Sequence, residues 1–327
     1  MPATNEKFEV FRPDIGGALM EYDLAASQEG FIGTRVLPIR EVQSETLKFG
    51  KITIESLLRK RKTRRAPGTP YNRAEYDFTS DSYTTEEHGI EEPVDDREAK
   101  MYQDIFEAEM VATERARDGV LRAQEARIAE LLFNTSVWTG TKLTKAAEEL
   151  WSNHANAKPL SDVKFARKMV RANIGRLPNT LILGWEAYEE AKFCDQIIER
   201  VKYQEKMDVR PGLITPQQLA SVFDVEQVVI AGAQENGANP EQEASLTEIW
   251  DPALAMVAKV ARSRDIREPC LGRIFHWGED GSQAGALVES YRENQSRSEI
   301  MRSRMDTDEK ILYVEAGFLL TGLLAGS

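Results

Sequence analysis

Residues 177–184 read LPNTLILG, a short run of apolar and β-branched residues that ends at a glycine. A run of this length and composition predicts a short buried strand. On its N-terminal side, Ser161 and Gly175 are typical of the two ends of a helix over residues 162–173. On its C-terminal side, residues 185–203 place apolar side chains at helical spacings. A strand between two helices is typical of a compact α/β unit.

The residues that follow continue this α/β pattern. Thr215-Pro216-Gln217-Gln218 is a capping-box sequence with proline at the first helical position, so it predicts a helix that runs to Phe223. Residues 225–231 and 249–260 predict two further strands, and 234–243, rich in Asn, Gly and Gln, predicts an exposed loop between them. We therefore expect one compact α/β domain over residues 161–262.

A single long helix is predicted before this domain, from Asp95 to about Asn134. The segment has no proline and one glycine, and it is rich in strong helix formers. Its apolar residues step by four, three and four at Met101, Ile105, Ala108 and Ala112. At 1.5 Å per residue such a helix reaches on the order of 55–60 Å. A coiled coil is the alternative, but the apolar positions do not keep a heptad, and we interpret the helix as a spine against which a sheet packs.

An extended hairpin is predicted before the spine. Residues 46–54 alternate apolar and polar side chains, and the aromatic residues at 76, 78 and 83 suggest a returning strand. Between them lies a strongly basic segment, residues 59–65, in which only Thr63 is uncharged. The simplest interpretation is a long hairpin or loop with positive charge near its end. Such a run is either a solvated loop or a contact with an acidic partner.

An acidic block follows the basic segment within the same chain, since residues 86–98 contain seven carboxylates and one arginine. A positive block and a negative block that a core does not need are suited to a head-to-tail interface between identical subunits. Nucleic-acid binding by the basic segment is the alternative. The candidate contact residues are Arg59, Lys60, Arg61, Lys62, Arg64, Arg65, Glu86, Glu87, Glu91 and Glu92.

The two ends of the chain are less regular. Residues 1 to about 40 carry scattered apolar side chains, which favour an arm that orders against a partner over a loose tail. From residue 265 onward the pattern returns to antiparallel strands, over 271–277 and 286–291 with a glycine-rich turn between them. Further strands are predicted at 311–314 and 318–324.

Composition excludes several classes of protein. The 327 residues are enough for about two domains, and 42 basic against 54 acidic residues give a charge of −12, which disfavours general nucleic-acid binding. Cys194 and Cys270 form no CxxC pair, so neither a disulfide framework nor a zinc ribbon is predicted. We find no signal peptide and no run long enough for a membrane span.

A search for catalytic motifs also finds nothing. The three histidines lack metal-ligand spacing, and no phosphate loop, dinucleotide fingerprint or nucleophile elbow is present. We therefore predict no catalytic, cofactor-binding or metal-binding residue, and no cofactor. An enzyme with a site assembled from scattered residues of the 161–262 domain is the alternative, and it predicts a ligand pocket and turnover. For a chain of this length, the absence of motifs favours a structural role.

The order of parts resembles the major capsid proteins of tailed double-stranded DNA bacteriophages, which have the Hong Kong 97 type of α+β fold. The segments that carry the likeness are LPNTLILG (177–184), the helix with Tyr188 and DQIIERVKY (195–203), LITPQQLA (213–220) and FDVEQVV (223–229). The specific motifs lie within residues 177–260, whereas the order of parts covers about 30–327. The resemblance implies five regions: an N-terminal arm (1–39), an extended β-loop (40–95), a peripheral domain (96–160) with a spine helix (96–134), an axial α/β domain (161–262), and C-terminal strands that complete the peripheral domain (263–327).

The resemblance also implies a function. Such a chain is a structural protein of the virion that self-assembles as hexamers and pentamers into an icosahedral head around double-stranded DNA, which it contacts only non-specifically. Its extended loop lies over a neighbouring subunit. The chain shows no long, highly charged helical N-terminal extension, so we expect either a separate scaffolding protein or an extension that has already been removed. The resemblance also implies a portal, a decoration or cementing protein, and assembly in the host cytoplasm without a membrane. A bacterial encapsulin-type nanocompartment shell of the same fold is the alternative.

Overall fold

The computed structural model describes residues 10–11, 30–73, 75–102, 108–205, 211–238, 242–243, 245–263, 265, 268–278 and 286–325. Its helices are α1 (Gly33–Val36), α2 (Ile54–Leu58), α3 (Asp96–Tyr102), α4 (Ala108–Leu132), α5 (Pro159–Ile174), α6 (Trp185–Phe193), α7 (Asp195–Glu205) and α8 (Pro216–Phe223). Its strands are β1 (Val10–Phe11), β2 (Ile39–Val42), β3 (Thr46–Ile52), β4 (Phe78–Thr84), β5 (Glu86–Asp95), β6 (Thr144–Ala146), β7 (Thr180–Gly184), β8 (Gln227–Ala231), β9 (Gln234–Asn236), β10 (Leu246–Glu248), β11 (Ala255–Ala258), β12 (Gly272–Trp277), β13 (Leu287–Glu293), β14 (Ser298–Ile311) and β15 (Gly317–Thr321).

The predicted buried strand lies near the middle of a five-stranded sheet with the order β6-β15-β11-β7-β8. All five residues of β7 are buried, because side chains on its two faces enter two different hydrophobic clusters. Leu181 and Leu183 face α5, α6 and α8, whereas Ile182 faces the opposite side. Burial on both faces explains why this segment is continuously apolar rather than alternating.

A second, six-stranded sheet has the order β1-β13-β14-β12-β2, with β5 also paired to β14. The 14-residue strand β14 organises this sheet, since its first part pairs with β13, its last part with β12 and its other edge with β5. The long helix α4 packs across β5 and β14. This packing agrees with the interpretation of the helix as a spine for a sheet.

One hydrophobic cluster joins the two sheets. It combines Ile32 and Leu37 from the start of the described chain with Ile128 and Leu132 of α4 and with the second face of the five-stranded sheet. Trp138 and Trp250 are fully or almost fully buried here. The spine helix, the segment around α1 and both sheets therefore share a core.

Several local predictions are confirmed. Gly175 ends α5 in the left-handed conformation, with φ 65°. Thr215 and Gln218 form the predicted capping box at the start of α8, with Pro216 as its first helical residue. Strands β3 and β4 pair as the predicted hairpin, from Thr46 opposite Thr84 to Ile52 opposite Phe78.

Other local predictions need correction. Helix α5 begins at Pro159 with Lys158 as its N-cap residue, so Ser161 lies inside the helix rather than capping it. The helix predicted over 185–203 is two helices, because the chain leaves the helical conformation at Cys194 and the Asp195 amide donates to the His154 carbonyl, 3.1 Å away. The segment predicted as a loop at 234–243 contains β9, which pairs with β10 as a short hairpin.

The spine is described in two parts. Helix α3 covers Asp96–Tyr102 and α4 covers Ala108–Leu132, and residues 103–107, with the predicted stripe position Ile105, lie outside the described residues. The side chains of Glu98 and Met101 also lie outside the description. A helix is thus present on both sides of the gap, within the predicted 96–134 range.

The placement of two strands differs from the domain division that the resemblance implies. Strand β15, which we placed with the C-terminal strands of the peripheral domain, pairs with β11 of the five-stranded sheet. Strand β6 from the predicted peripheral region pairs with β15 in the same sheet. Both strands lie in this sheet because the Phe318 and Leu320 side chains of β15 are buried against α5 and its neighbours. The domain boundaries themselves stay a prediction.

Most of the predicted N-terminal arm and the glycine-rich turn fall outside the described residues. Of the arm, β1 pairs antiparallel with β13, and residues from Gly30 onward enter the shared core. No helix within the described ranges is long and apolar enough to span a membrane.

Candidate subunit-contact surface

The base of the hairpin is anchored to the six-stranded sheet by aromatic stacking. The rings of Tyr83 and Phe275 stack with centroids 4.5 Å apart, and Phe49 lies against both rings. The Lys310 ammonium pairs with the Asp81 carboxylate at 2.6 Å. These contacts fix Phe49, Asp81 and Tyr83, at the base of the hairpin, on the six-stranded sheet.

The tip of the hairpin contains α2 and the predicted basic segment. Thr53 caps α2 by accepting a hydrogen bond from the Ser56 amide, and the chain turns at Gly68, whose φ is 81°. The Asn72 side-chain amide donates to the Lys62 carbonyl over 2.8 Å. The conformation of the tip is therefore held by hydrogen bonds between side chains and the backbone and by short turns.

The basic side chains of the tip have few acidic neighbours. Arg61 stacks over the Tyr76 ring and Arg65 over the Tyr71 ring, at 4.3 and 4.4 Å from the ring centroids. Arg59 reaches the Asp77 carboxylate at 4.0 Å, between two exposed side chains. Within the described ranges, Lys60, Lys62 and Arg64 form no ion pair. The segment thus presents positive charge that the described residues of the same chain leave largely uncompensated.

Exposed apolar side chains accompany this charge. Tyr71 is 74% exposed and Phe78 is 66% exposed, and Leu57 and Leu58 are also exposed. Aromatic and arginine side chains are enriched at protein interfaces, where they supply contact area and planar hydrogen bonding. The tip therefore has the composition of a protein-contact surface.

The acidic block forms strand β5, and strand alternation divides its carboxylates between two faces of the sheet. Glu92 lies on the face that packs against α4, where its carboxylate pairs with Arg115 at 3.2 Å. Glu91 lies on the opposite face and pairs with Arg302 of β14 at 2.8 Å. Glu87, on the same face as Glu91, is 3.8 Å from Arg304. Glu86 is exposed.

A ladder of charges continues from β5 across the sheet. Arg302 and Arg304 both contact the Glu289 carboxylate on β13, at 3.2 and 3.0 Å. At the end of β5, Arg292 forms a bidentate pair with Asp96 at 2.6 Å, and this hydrogen bonding holds the pKa of Asp96 below its usual range. The acidic block is therefore partly engaged with arginines of its own chain.

The structure does not bring the two charged blocks together within one chain. No ion pair joins residues 59–65 to residues 86–92 in the part of the chain that is described. The ladder partners Glu289, Arg302 and Arg304 were missed in the sequence, because β14 was not recognised as a strand. The alternation of Arg302, Arg304, Asp306, Asp308 and Lys310 with less polar residues is the signal that could have revealed it.

Both cysteines are buried. Burial, with the nearby Glu190 and Asp195 carboxylates, raises the pKa of the Cys194 thiol to about 12, and burial also raises the pKa of Cys270. A thiol in this state is a poor nucleophile. Across the described ranges no group of three or more metal-ligating side chains is found.

We expect both thiols to resist 5,5′-dithiobis(2-nitrobenzoic acid) at pH 8 in the folded protein and to react after unfolding in guanidinium chloride. The physical reason is that the thiolate carries the reactivity and burial suppresses it. Absorbance at 412 nm measures the released thiolate. Rapid labelling of either cysteine in the folded protein would contradict the buried positions of both thiols.

Known proteins resemble this chain in fold and in sequence. No family model matches the chain. Among solved structures, a phage-related protein from Bordetella bronchiseptica RB50 superimposes with a TM-score of 0.69 at 22% identity, covering 97% of this chain and 98% of that one. The capsid of the cyanophage P-SCSP1u gives a TM-score of 0.55 at 12% identity, over 100% of this chain and 93% of its own. These likenesses establish the Hong Kong 97 type of α+β fold.

Relatives in sequence decide between the proteins that share this fold. The major capsid protein of Burkholderia phage BcepMu is 28% identical over 300 residues, which are 90% of this chain and 91% of that protein. Over nearly its whole length the chain is therefore similar to a phage major capsid protein, and this likeness supports a structural role in a phage capsid. A second relative, the major capsid protein of Pseudomonas phage JBD67, is 24% identical over 76% of this chain and 78% of its own length.

The predicted structural role in a phage capsid is therefore confirmed. This capsid protein is a structural component of the virion rather than an enzyme, and it self-assembles into a shell. The encapsulin SrpI from Synechococcus elongatus PCC 7942 shares the fold with a TM-score of 0.54 at 11% identity, covering 89% of this chain and 86% of its own. At that identity the likeness concerns the fold alone, so the nanocompartment alternative fits less well than the phage role.

Proposed function

We propose that copies of this capsid protein assemble as hexamers and pentamers into an icosahedral head that encloses double-stranded DNA. The observation that supports a specific subunit contact is the hairpin tip, where aromatic side chains are exposed and the cationic side chains mostly lack acidic partners among the residues that the structure describes. The division into arm, extended loop, peripheral domain and axial domain, with the boundaries given above, belongs to the same proposal.

The surface of a neighbouring subunit that would receive the tip is the acidic block on β5. Glu86 is exposed, and the Glu87 and Glu91 side chains are 64% and 47% exposed even with their arginine partners in place. Complementary charge on two patches of one chain gives a head-to-tail contact, which closes into rings when the rotation between subunits allows it. Arg59, Lys60, Arg61, Lys62, Arg64 and Arg65 would supply the positive side, and Glu86, Glu87, Glu91 and Glu92 the negative side.

Other components complete the proposal. A scaffolding protein would direct assembly in the host cytoplasm, a portal would occupy one vertex, and a decoration or cementing protein would bind the outer surface. Contact with the packaged DNA would be non-specific, in keeping with the net charge of −12. Basic residues of the tip would contact protein rather than nucleic acid.

Particles purified from infected cells test this proposal. We expect electron cryomicroscopy to show an icosahedral lattice of hexamers and pentamers, and nuclease treatment of intact particles to leave double-stranded DNA protected inside. Shells that contain a folded protein cargo and no protected DNA would instead support the nanocompartment function. A lattice in which the tip of residues 59–77 touches no neighbouring subunit would overturn the assigned contact.

A further inference from the structure

Glu125 is a buried carboxylate near the middle of the spine helix α4, and its residue is only 4% exposed. It has no cationic partner within the described residues; instead its oxygens accept hydrogen bonds from N–H groups. Oε1 accepts from the Ile32 amide at 2.8 Å and from the Trp250 indole at 2.7 Å, and Oε2 accepts from the Gly33 amide at 2.8 Å. Burial raises the pKa of Glu125, and these three donors partly oppose that effect.

The donors come from two segments that are far apart in the sequence. Ile32 and Gly33 lie at the start of α1, 93 and 92 positions before Glu125, and Trp250 lies 125 positions after it, between β10 and β11. Around this cluster the contacts are apolar, including the edge-to-face packing of Trp250 on Phe133 with ring centroids 4.9 Å apart. The Glu125 carboxylate therefore links Ile32 and Gly33 to Trp250 across the shared core.

Glycines allow the first of these segments to approach so closely. A Cβ atom at Gly33 would lie 2.6 Å from Oε2 of Glu125 and 2.5 Å from Ile128 Cδ1. At Gly30, where φ is 102°, a Cβ would lie 2.6 Å from the backbone of Gly232, next to the five-stranded sheet. Residues 30–33 thus touch the spine helix at one end and the α/β sheet at the other.

A buried carboxylate without a cation is stable only while its oxygens are hydrogen-bonded. Here the two segments share the Oε1 atom, so each of them stabilises the ionised group on which the other depends. When one N–H donor moves away, the buried Glu125 carboxylate keeps too few hydrogen bonds for its charge, and the remaining hydrogen bonds lose their geometry. The arrangement therefore links two segments that do not follow one another in the chain.

We infer that Glu125 couples the packing of residues 30–37 on the spine helix to the packing of Trp250, so that the two segments detach together. We call this arrangement of Glu125, Ile32, Gly33 and Trp250 the clasp. Glu125 is a positioning residue in this account. The clasp holds residues 30–37 on the core, and it does so through the same contact that holds the spine to the five-stranded sheet. This coupling is independent of which surface of the subunit makes contacts within the shell.

Amide hydrogen exchange of the full chain, read by mass spectrometry, tests the coupling. Trp250→Phe keeps a ring for the packing on Phe133 but removes the indole donor. We expect this change to accelerate exchange of residues 30–37 by on the order of tenfold, although none of them is altered. Glu125→Gln should accelerate exchange in 30–37 and in 248–254, because its amide would point a donor at the Gly33 N–H.

Two controls isolate the effect. Trp185→Phe changes an exposed tryptophan on α6, and Glu130→Ala removes an exposed glutamate on α4; both should leave exchange of residues 30–37 unchanged. In a Glu125→Gln background, Trp250→Phe should add little, because the coupling is already weakened. Accelerated exchange confined to residues 248–254 in Trp250→Phe would overturn the clasp. A uniform rise of the exchange rate across β7 and β11 would also overturn it, because that rise would mean global destabilisation rather than a local link.

Discussion

Replacing Lys60, Lys62 and Arg64 with glutamate is expected to stop shell assembly while leaving the subunit folded. These three side chains project from the hairpin tip and form no described ion pair within the chain, so the fold does not depend on their charge. Reversal changes the charge of the tip by six units, so in the proposed contact a negative tip would face the acidic block of the neighbouring subunit. Like charges across an interface cost several kcal/mol, and the cost recurs at every copy of the contact. Sedimentation velocity measures assembly, and circular dichroism measures the fold.

A matched control and a rescue make this prediction specific. Lys164, Lys168 and Arg171 are exposed on α5, and replacing them with glutamate makes the same change of charge away from the tip; assembly should continue. Adding Glu86→Lys to the tip variant should restore part of the assembly, because Glu86 is an exposed residue of β5 and lies outside the ladder around Glu289. Normal shells from the tip variant would show that the basic segment is not a subunit contact.

Ala116→Pro is expected to unfold the subunit. Ala116 is 1% exposed and lies in the third turn of α4, on the helix that packs across β5 and β14. An interior proline removes one helical hydrogen bond and clashes with the preceding turn, at a cost of roughly 3 kcal/mol or more. The total stability of a domain is about 5–15 kcal/mol, and the bent helix would also lose its contacts with the sheet. The variant should give little soluble protein and no cooperative thermal transition.

The control for this helix is Ala116→Gly. It also weakens the helix at this position but keeps the backbone N–H, and a glycine in a helix interior costs about 1 kcal/mol relative to alanine. We expect the glycine variant to fold with a reduced midpoint of thermal unfolding. A proline variant that melts at the same temperature as the glycine variant would contradict the role of α4 as the support of the six-stranded sheet.

The sequence predicted best where local signals and burial agree. The strand at 180–184 is apolar because both of its faces are buried, and the end of α5 at Gly175 and the capping box at Thr215 follow from backbone hydrogen bonding within a few residues. The break at Cys194 has no comparable local signal. It depends on a buried thiol and on a hydrogen bond to His154, about 40 residues away.

The candidate contact surface was predictable on its basic side and only in part on its acidic side. The basic tip is a run in the sequence and an exposed loop in the structure, so composition alone located it. The acidic block looked like one patch, but strand alternation divides it between two faces, and two of its arginine partners, Arg302 and Arg304, come from β14, about 200 residues later. Charged residues along β14 masked its strand pattern, because ion pairs with Glu289 and Glu91 replace the apolar contacts that usually mark a strand.

The mass of the native assembly, measured by sedimentation velocity with electron microscopy of the same sample, tests the central claim most directly. We predict closed particles built from hundreds of copies of the chain. A chain that remains a monomer or dimer at every salt concentration, even with the proposed scaffolding protein present, would contradict the assignment of this protein as a shell-forming subunit.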